Sequence, residues 1–454
     1  MTTFATGSRT ESLEAAREVA RALRERDDDD AIGPVPAGPW KIPADRYYSP
    51  AFAQAEIERM WPRVWQMAAT TDHLAEPGDY FEYRVGPYSV LIVHGDDGVL
   101  RAFQNACRHR GNSLCVGTGS GLRELKCGYH GWTWDLEGIL RRVPARKGFG
   151  SLHLSDYPLL PAKVDTWENF VFINMDPEAI ELSEWLEEMP GDIAWCGLSE
   201  FHCTATVTIA VDANWKTIAD GFSETYHIQG LHPELLRCVD DIHAPQQIWG
   251  HVGKSHQPYG VASPRFNGSL SDQEVWDSYI ESQGGRMGVT ESTPLPPLEP
   301  GETVQDAVAA QTRKFYAEKG VDLSPYTTDE ITRLHQYNVF PNMSTLAAAD
   351  QLTALMGRPG PTPDTGQLVM FAMTRMPPGT PRSRPVDVAM TAEQATLGLV
   401  LDQDLTMLDR LQRGLHSPGF THLTLSNEER RLINTHRNLE RYLDLPESER
   451  MTGG

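Results

Sequence analysis

The alternation of apolar and polar positions divides the chain into three stretches. Residues 1–45 show little apolar order. A weakly amphipathic helix is expected from Ser12 to Arg26, followed by the acidic run Asp27–Asp30 and a Gly/Pro stretch from Gly33 to Pro43. This reads as a solvated, partly disordered arm. Residues 46–180 begin with a helix from about Pro50 to Trp61, with Phe52, Ile57, Met60 and Trp61 on one side. They then turn to β texture. Tyr80–Arg84 and Tyr88–His94 are split by Gly86-Pro87, and Gly95–Gly98 turns into Val99–Gln104. A second turn lies at Asp135–Gly138, and Val164–Asn174 reads as one more strand.

Residues 181–454 are larger and mixed. After an acidic connector over 176–200, a strand is expected at Phe201–Val211, a helix from about Asn214 to His227 and a strand at Gln367–Arg375. Residues 257–302 are rich in Gly, Pro and Ser and read as an irregular excursion. Thr391-x-x-Gln394 and Ser426-x-x-Glu429 are capping boxes that open helices of roughly 392–415 and 427–443. The class is α+β, in an arm, a small β domain and a larger domain with an antiparallel sheet.

Composition narrows the partners. The 454 residues carry 40 Lys+Arg against 62 Asp+Glu, a net charge of −22. That excess of acid argues against nucleic acid and against anionic membranes. The most apolar runs, such as Tyr88–Val93 and Phe170–Ile173, fall well short of the roughly 18 residues a spanning helix needs. The first residues lack an apolar signal core, so a cytoplasmic protein is expected. Six cysteines are too few for a disulfide scaffold. Cys115, Cys196, Cys203 and Cys238 read as ordinary reduced thiols.

Two constellations carry chemistry. The first is Cys107-Arg108-His109, followed seventeen residues later by Cys127-Gly128-Tyr129-His130. Each half offers one thiolate and one imidazole beside turn-forming Gly111 or Gly131. Cys2His2 zinc is one candidate. The mixed ligands in each loop suit a two-iron, two-sulfide cluster better, with two Cys on one iron and two His on the other. The second constellation is Glu224, His227, His232 and Asp404. Asp220, Glu224 and His227 share one face of the expected helix. His232 would stand about 140° from His227 on a regular helix, but Gly230 and Pro233 allow an irregular path. Two histidines need a carboxylate to complete a facial triad for non-haem Fe(II). Asp404 fits, because it lies in the apolar stripe of Leu401, Leu408, Leu411 and Leu415, where an unpaired acid is costly.

The motif Cys107-Arg-His-Arg-Gly111 with Cys127-Gly-Tyr-His-Gly-Trp132 resembles the Rieske domain of ring-hydroxylating oxygenases. Asn214-Trp215-Lys216, Tyr226-His227-x4-His232-Pro233 and Asp402-Gln403-Asp404 with Leu411–Leu415 resemble their catalytic domain. The likeness covers residues 45 to 445. It implies a small β Rieske [2Fe-2S] domain joined to a helix-grip (START-like) catalytic domain. Cys107, His109, Cys127 and His130 would hold the cluster, and His227, His232 and Asp404 a mononuclear Fe(II). The implied activity is O2-dependent hydroxylation of an aromatic or other apolar small molecule, with ring dihydroxylation foremost. A monooxygenase or demethylase on a non-aromatic substrate is the alternative, and a Rieske electron carrier with a non-catalytic binding domain is a further one. Electrons would come from NAD(P)H through a ferredoxin, a flavin reductase or both. Three catalytic chains in a ring, with or without three β subunits, is the implied assembly. In the family the acid at the position of Glu224 bridges a cluster histidine of one subunit and an iron-ligating histidine of the next. Aspartate is commoner there, and the glutamate points towards the monooxygenases. Arg108, Arg110 and Trp132 are expected to pack around the cluster or to form the surface an electron donor docks on. His243, His251 and His256, and the aromatics Phe222, Tyr226, Trp249 and Phe371, are candidates for the substrate pocket.

Overall fold

The computed structural model describes residues 14, 17, 18, 38–290 and 292–453. The expected helix from Ser12 to Arg26 therefore lies largely outside the described residues. The chain forms two compact units, one comprising 54–185 with 381–386 and the other the remaining residues up to 53, 186–380 and 387–454.

The smaller unit is built on a seven-stranded antiparallel sheet. Its order is Gln66–Thr70, Phe170–Asn174, Pro161–Trp167, Leu100–Gln104, Tyr88–His94, Tyr80–Val85 and Thr118–Gly119. Val85 pairs with Tyr88, so Gly86-Pro87 is a two-residue hairpin turn, and Gly86 takes φ +51° as such turns require. The single strand expected at Val164–Asn174 is two strands, because Glu168 turns back in the left-handed region at φ +52°. Leu125–Lys126, Thr133–Trp134 and Leu140–Arg142 make a three-stranded sheet. Leu91, Phe103, Trp132, Trp134 and Leu140 form a buried core that includes Cys107 and Cys127. The segment 381–386 is tied to this unit by Arg382 on Asp72 (3.0 Å) and Arg384 on Asp79 (3.2 Å).

The larger unit carries an eight-stranded sheet. Its order is Gln246–Ile248, Val252–Pro258, Arg333–Val339, Met343–Ala347, Gln351–Pro359, Gly366–Arg375, Phe201–Val211 and Val386–Thr391. Helices Trp215–Gly221 and Arg430–Leu443 press on one face, opposite Gly357 and Gly253. A Cβ at Gly357 would stand 2.4 Å from the carbonyl oxygen of Trp215, so only glycine lets that helix approach. Helix Leu399–Leu415 buries Leu405, Leu408, Gln412 and Leu415 at helical spacing. Gln412 joins it to the Trp215 helix, accepting hydrogen bonds from the Asn214 amide (2.9 Å) and the Thr217 hydroxyl (3.0 Å).

Several expectations need correction. Trp40–Pro43, placed in the arm, is a strand that pairs with His422–Leu425, and residues up to 53 belong to the larger unit. The excursion at 257–302 contains a sixteen-residue helix, Asp272–Met287. Its Ser271/Glu274 capping box is readable in the sequence. With Val304–Glu318 it buries Trp276, Tyr279 and Val308. The helix expected to start at 392 starts at Leu399, after a separate capped turn at Ala392–Gln394. The helix expected from Asn214 to His227 stops at Gly221.

Candidate metal and cluster sites

The stop at Gly221 builds the first site. Asn214 caps the helix, its side chain accepting from the Lys216 amide at 3.0 Å. At the other end the carbonyl of Phe222 is taken out of helical bonding by three side chains of the sheet. Gln336 and Asn338 donate to it at 2.7 Å each, and Ser344 at 3.1 Å. Arg431 holds both amides in that orientation, donating to Gln336 Oε1 and Asn338 Oδ1 at 2.6 Å. The chain then turns through Ser223–Thr225 and makes one short helix, Ile228–Leu231, between His227 and His232. Glu224 and His227 are thus on a turn, not on the helical face they were expected to share. Asp220 stays behind on the helix, where it accepts from the Tyr47 hydroxyl at 2.6 Å.

This path brings His227, His232 and Asp404 together. Their ligand atoms all lie within 4.8 Å of one another. His232 Nε2 is 2.9 Å from Asp404 Oδ1, and His227 Nε2 is 3.9 Å from it. The opposite edge of each imidazole is occupied. Glu224 Oε1 is 2.5 Å from His227 Nδ1. A carboxylate only accepts, so the proton is on Nδ1 and the Nε2 lone pair is left for a metal. His232 Nδ1 is 2.6 Å from Gln403 Oε1, and Gln403 Nε2 donates to Glu234 Oε1 at 2.5 Å. Glu234 fixes which end of the Gln403 amide faces the histidine. Burial disfavours the charged form of His227, but the hydrogen bond and charge of Glu224, with Asp404, more than offset it and raise its pKa. Two imidazoles and one carboxylate, oriented by half-buried acceptors, suit a divalent iron with open positions. Gln403, Glu234 and Arg431 are contributors that the sequence reading did not single out.

The second site lies in the smaller unit. Two loops repeat one geometry. The amides of Gly111 and Gly131 donate to the carbonyls of Cys107 (2.9 Å) and Cys127 (3.0 Å), with φ +78° and +71° at the two glycines. The amides of His109 and Arg110 point at the Cys107 sulfur, and those of Tyr129 and His130 at the Cys127 sulfur. Such donors stabilise thiolates. For Cys107 burial wins and its thiol pKa is raised. For Cys127 burial is outweighed by those amides and by Asn112, and the pKa is lowered. His109 and His130 sit ring to ring at 4.6 Å. His109 Nδ1 is buried without a hydrogen-bond partner, as a cluster ligand's nitrogen would be before its iron is counted. The two thiols lie beside each other, as do the two imidazoles, which is the pairing of a cluster with both cysteines on one iron and both histidines on the other. They fit a two-iron cluster. All six cysteines are free thiols.

Trp132 is buried and stacks on His109 at 5.1 Å and 5°, so it supports the cluster loop and is not a docking surface. Tyr129 is exposed beside it. Leu411 is also exposed, outside the buried stripe expected to include Asp404. A cavity of about 380 Å³ has His227, His232 and Asp404 at one end. Phe222 lines it, whereas Trp249, Phe371, His243, His251 and His256 do not. His243 pairs instead with Asp240, and His251 with Glu187. Tyr226 is exposed. No helix of the described residues is long and apolar enough to cross a membrane.

Two family models match the chain, one for each part that holds a candidate site. Residues 64–160 match the Rieske [2Fe-2S] domain, and residues 198–445 match the ring hydroxylating alpha subunit (catalytic domain). The chain is 31% identical over 242 residues to the carnitine monooxygenase oxygenase subunit of Acinetobacter pittii (strain PHEA-2), covering 50% of this chain and 65% of that protein. It is 30% identical over 274 residues to the benzene 1,2-dioxygenase subunit alpha of Pseudomonas putida, covering 51% of this chain and 57% of that protein. These alignments span less than two thirds of either curated relative. The crystal structure of the quaternary ammonium Rieske monooxygenase CntA with L-carnitine superposes with a TM-score of 0.64 at 20% identity, over 92% of this chain and 99% of that one, which shows a shared fold. The family carries a Rieske cluster in the first domain and a mononuclear iron in the second, and this chain belongs to it as a Rieske non-haem iron oxygenase of the ring-hydroxylating alpha-subunit type.

Proposed function

We propose that the chain is the catalytic component of a multicomponent oxygenase that inserts one atom of O2 into a C–H bond of a small molecule bound in the cavity beside His227, His232 and Asp404. The juxtaposition of that three-ligand set with a cavity large enough for a small molecule carries the reading. Cys107, His109, Cys127 and His130 would hold the cluster. The bound iron would supply O2 activation, and the bound cluster single electrons. The balance is R–H + O2 + two electrons + two protons → R–OH + H2O. The electrons derive from NAD(P)H through a separate ferredoxin, flavin reductase or both.

The chain's own residues have distinct tasks. Glu224 and Gln403 keep both imidazoles in the tautomer that presents Nε2. Leu355, Met370 and Val400 exclude water from the cavity wall. Glu224 is the candidate route for coupling a neighbouring subunit's cluster to His227 in a ring of three chains. One-atom insertion is supported by the similarity to the carnitine monooxygenase oxygenase subunit and by the glutamate at 224. Ring dihydroxylation is the second reading, supported by the similarity to the benzene dioxygenase alpha subunit.

Metal analysis of wild type, His227→Ala and Asp404→Ala tests the site. Three irons per chain in wild type and two in each variant, with unchanged cluster absorbance and lost turnover, is the expected result. Full activity in either variant refutes the ligand set. Product analysis under 18O2 separates the readings: one labelled oxygen in the product supports monooxygenation, and two support dihydroxylation.

A further inference from the structure

The wall of the cavity facing the metal ligands is the helix-bearing face of the sheet. Alternate residues of its strands point there: Gln257, Gln336, Leu346, Thr353, Leu355 and Met370. A cavity for a plain hydrocarbon would be apolar at these positions. Here the Gln257 side chain is 5% exposed, lines the cavity and makes no hydrogen bond to any described residue. Tyr259, two residues on and 7% exposed, also lines it with a hydroxyl that no described residue engages. Gln351 and Thr353 also line it, and no described residue hydrogen-bonds to either side chain. Gln336, by contrast, is fully used by Arg431 and Phe222.

An amide that opens into a cavity and has no protein partner is left for a ligand to hydrogen-bond. An amide offers both a donor and an acceptor, so its best complement is a group that also offers both. Charge has no comparable partner. Among the described residues lining the cavity there is no Lys or Arg to meet a carboxylate. Its acids, Glu224 and Asp404, face the histidines. Phe222 and Tyr259 are its only aromatic residues among those described, too few to cage a quaternary ammonium.

We infer that the substrate is a neutral molecule with an apolar body and an amide, lactam or similar hydrogen-bonding group, and that Gln257 and Gln351 determine this specificity. The inference rests on the reading of this cavity as the oxygenase's substrate site. It differs from what the names of the carnitine relatives would suggest, a zwitterion.

The test is calorimetric binding to the iron- and cluster-loaded protein under anaerobic conditions. The probes are cyclohexanecarboxamide, benzamide, cyclohexanecarboxylate, methylcyclohexane and L-carnitine. The two amides are expected to bind at least about tenfold more tightly than the other three. In the double variant Gln257→Leu/Gln351→Leu the amides should lose about tenfold, while methylcyclohexane holds or gains. Iron and sulfide contents should be unchanged in that variant. Tightest binding by L-carnitine, the carboxylate or the hydrocarbon overturns the inference. So does amide binding that the double variant leaves intact, or the absence of binding by any probe. The oxygenase reading is scored separately by iron: three per chain upholds it whatever the probes do, and two ends it even if the amides bind.

Discussion

The amide of Gln403 is the most exacting point at which to perturb the metal site. His232 is 1% exposed, so its Nδ1 proton has little access to water once its acceptor is removed. Gln403→Leu removes that acceptor at 2.6 Å and keeps a good helix former within Leu399–Leu415. Leaving a buried donor unsatisfied costs about 1–3 kcal/mol. The imidazole can escape that cost by turning, which takes Nε2 away from Asp404, or by changing tautomer, which puts the proton on Nε2 and removes the lone pair a metal needs. Loss of such an outer hydrogen bond lowers metal affinity by about 10- to 100-fold. The assay is Fe(II) titration of metal-depleted protein against a chelator, with cluster absorbance as the internal control. Glu234→Gln is the companion variant. Its side-chain oxygen can still accept from Gln403 Nε2, so the affinity should stay close to wild type. Iron affinity within twofold of wild type in Gln403→Leu would refute the assignment of Gln403 as the group that orients His232.

Three further outcomes follow from groups remote from that site. Arg286→Met should destabilise the larger unit by about 3–5 kcal/mol, read as a lower Tm, because it strands Asp350, which is buried 2.5 Å from the guanidinium; a change below about 1 kcal/mol refutes this. Burial pushes the thiol of Cys196 up to about 12 and those of Cys115 and Cys238 up to about 11, so iodoacetamide at pH 8 should leave all three unmodified in native protein by mass spectrometry, and prompt labelling contradicts it. Burial lowers the pKa of His436 more than Asp220 raises it, so the stability from its neutral form is full above the unfolded value near 6.5 and is lost as pH falls below it; the drop in Tm between pH 7.5 and 5.5 should be smaller in His436→Gln, and an equal drop rejects the role.

The cluster motif was legible because each half is local. A cysteine, a histidine and a turn glycine within five residues fix a loop without help from elsewhere. The candidate metal ligands were legible for a different reason. Asp404 stands out as an acid in an apolar stripe, and two histidines five apart around Gly230 are hard to explain otherwise. Their arrangement was not legible. The sequence carries the helix on to His227, because nothing within it marks Gly221 as an end. The break is made by Gln336, Asn338 and Ser344, which are more than 110 residues away in sequence. The strand Trp40–Pro43 has the same cause, since its partner is His422–Leu425. The helix Asp272–Met287 is another matter: its Ser271/Glu274 capping box is local and readable, although Gly and Pro crowd the segment around it.

Polar residues at strand positions pose the hardest problem of this kind. Amides in strands usually point to water, and residue type alone would place Gln257, Gln336 and Gln351 there. Here that face is covered by helices, and the residues are buried or half-buried. A polar face then has two physical resolutions. Either another side chain satisfies it, as Arg431 does for Gln336 and Asn338, or it is left for a ligand, as at Gln257. The sequence holds no trace of the choice, because Arg431 in the first turn of a helix reads as a solvated cation. Burial of the sheet face together with the count of satisfied amides makes the distinction. That count separates Gln336, which shapes the backbone around the metal site, from Gln257 and Gln351, which face what the metal site acts on.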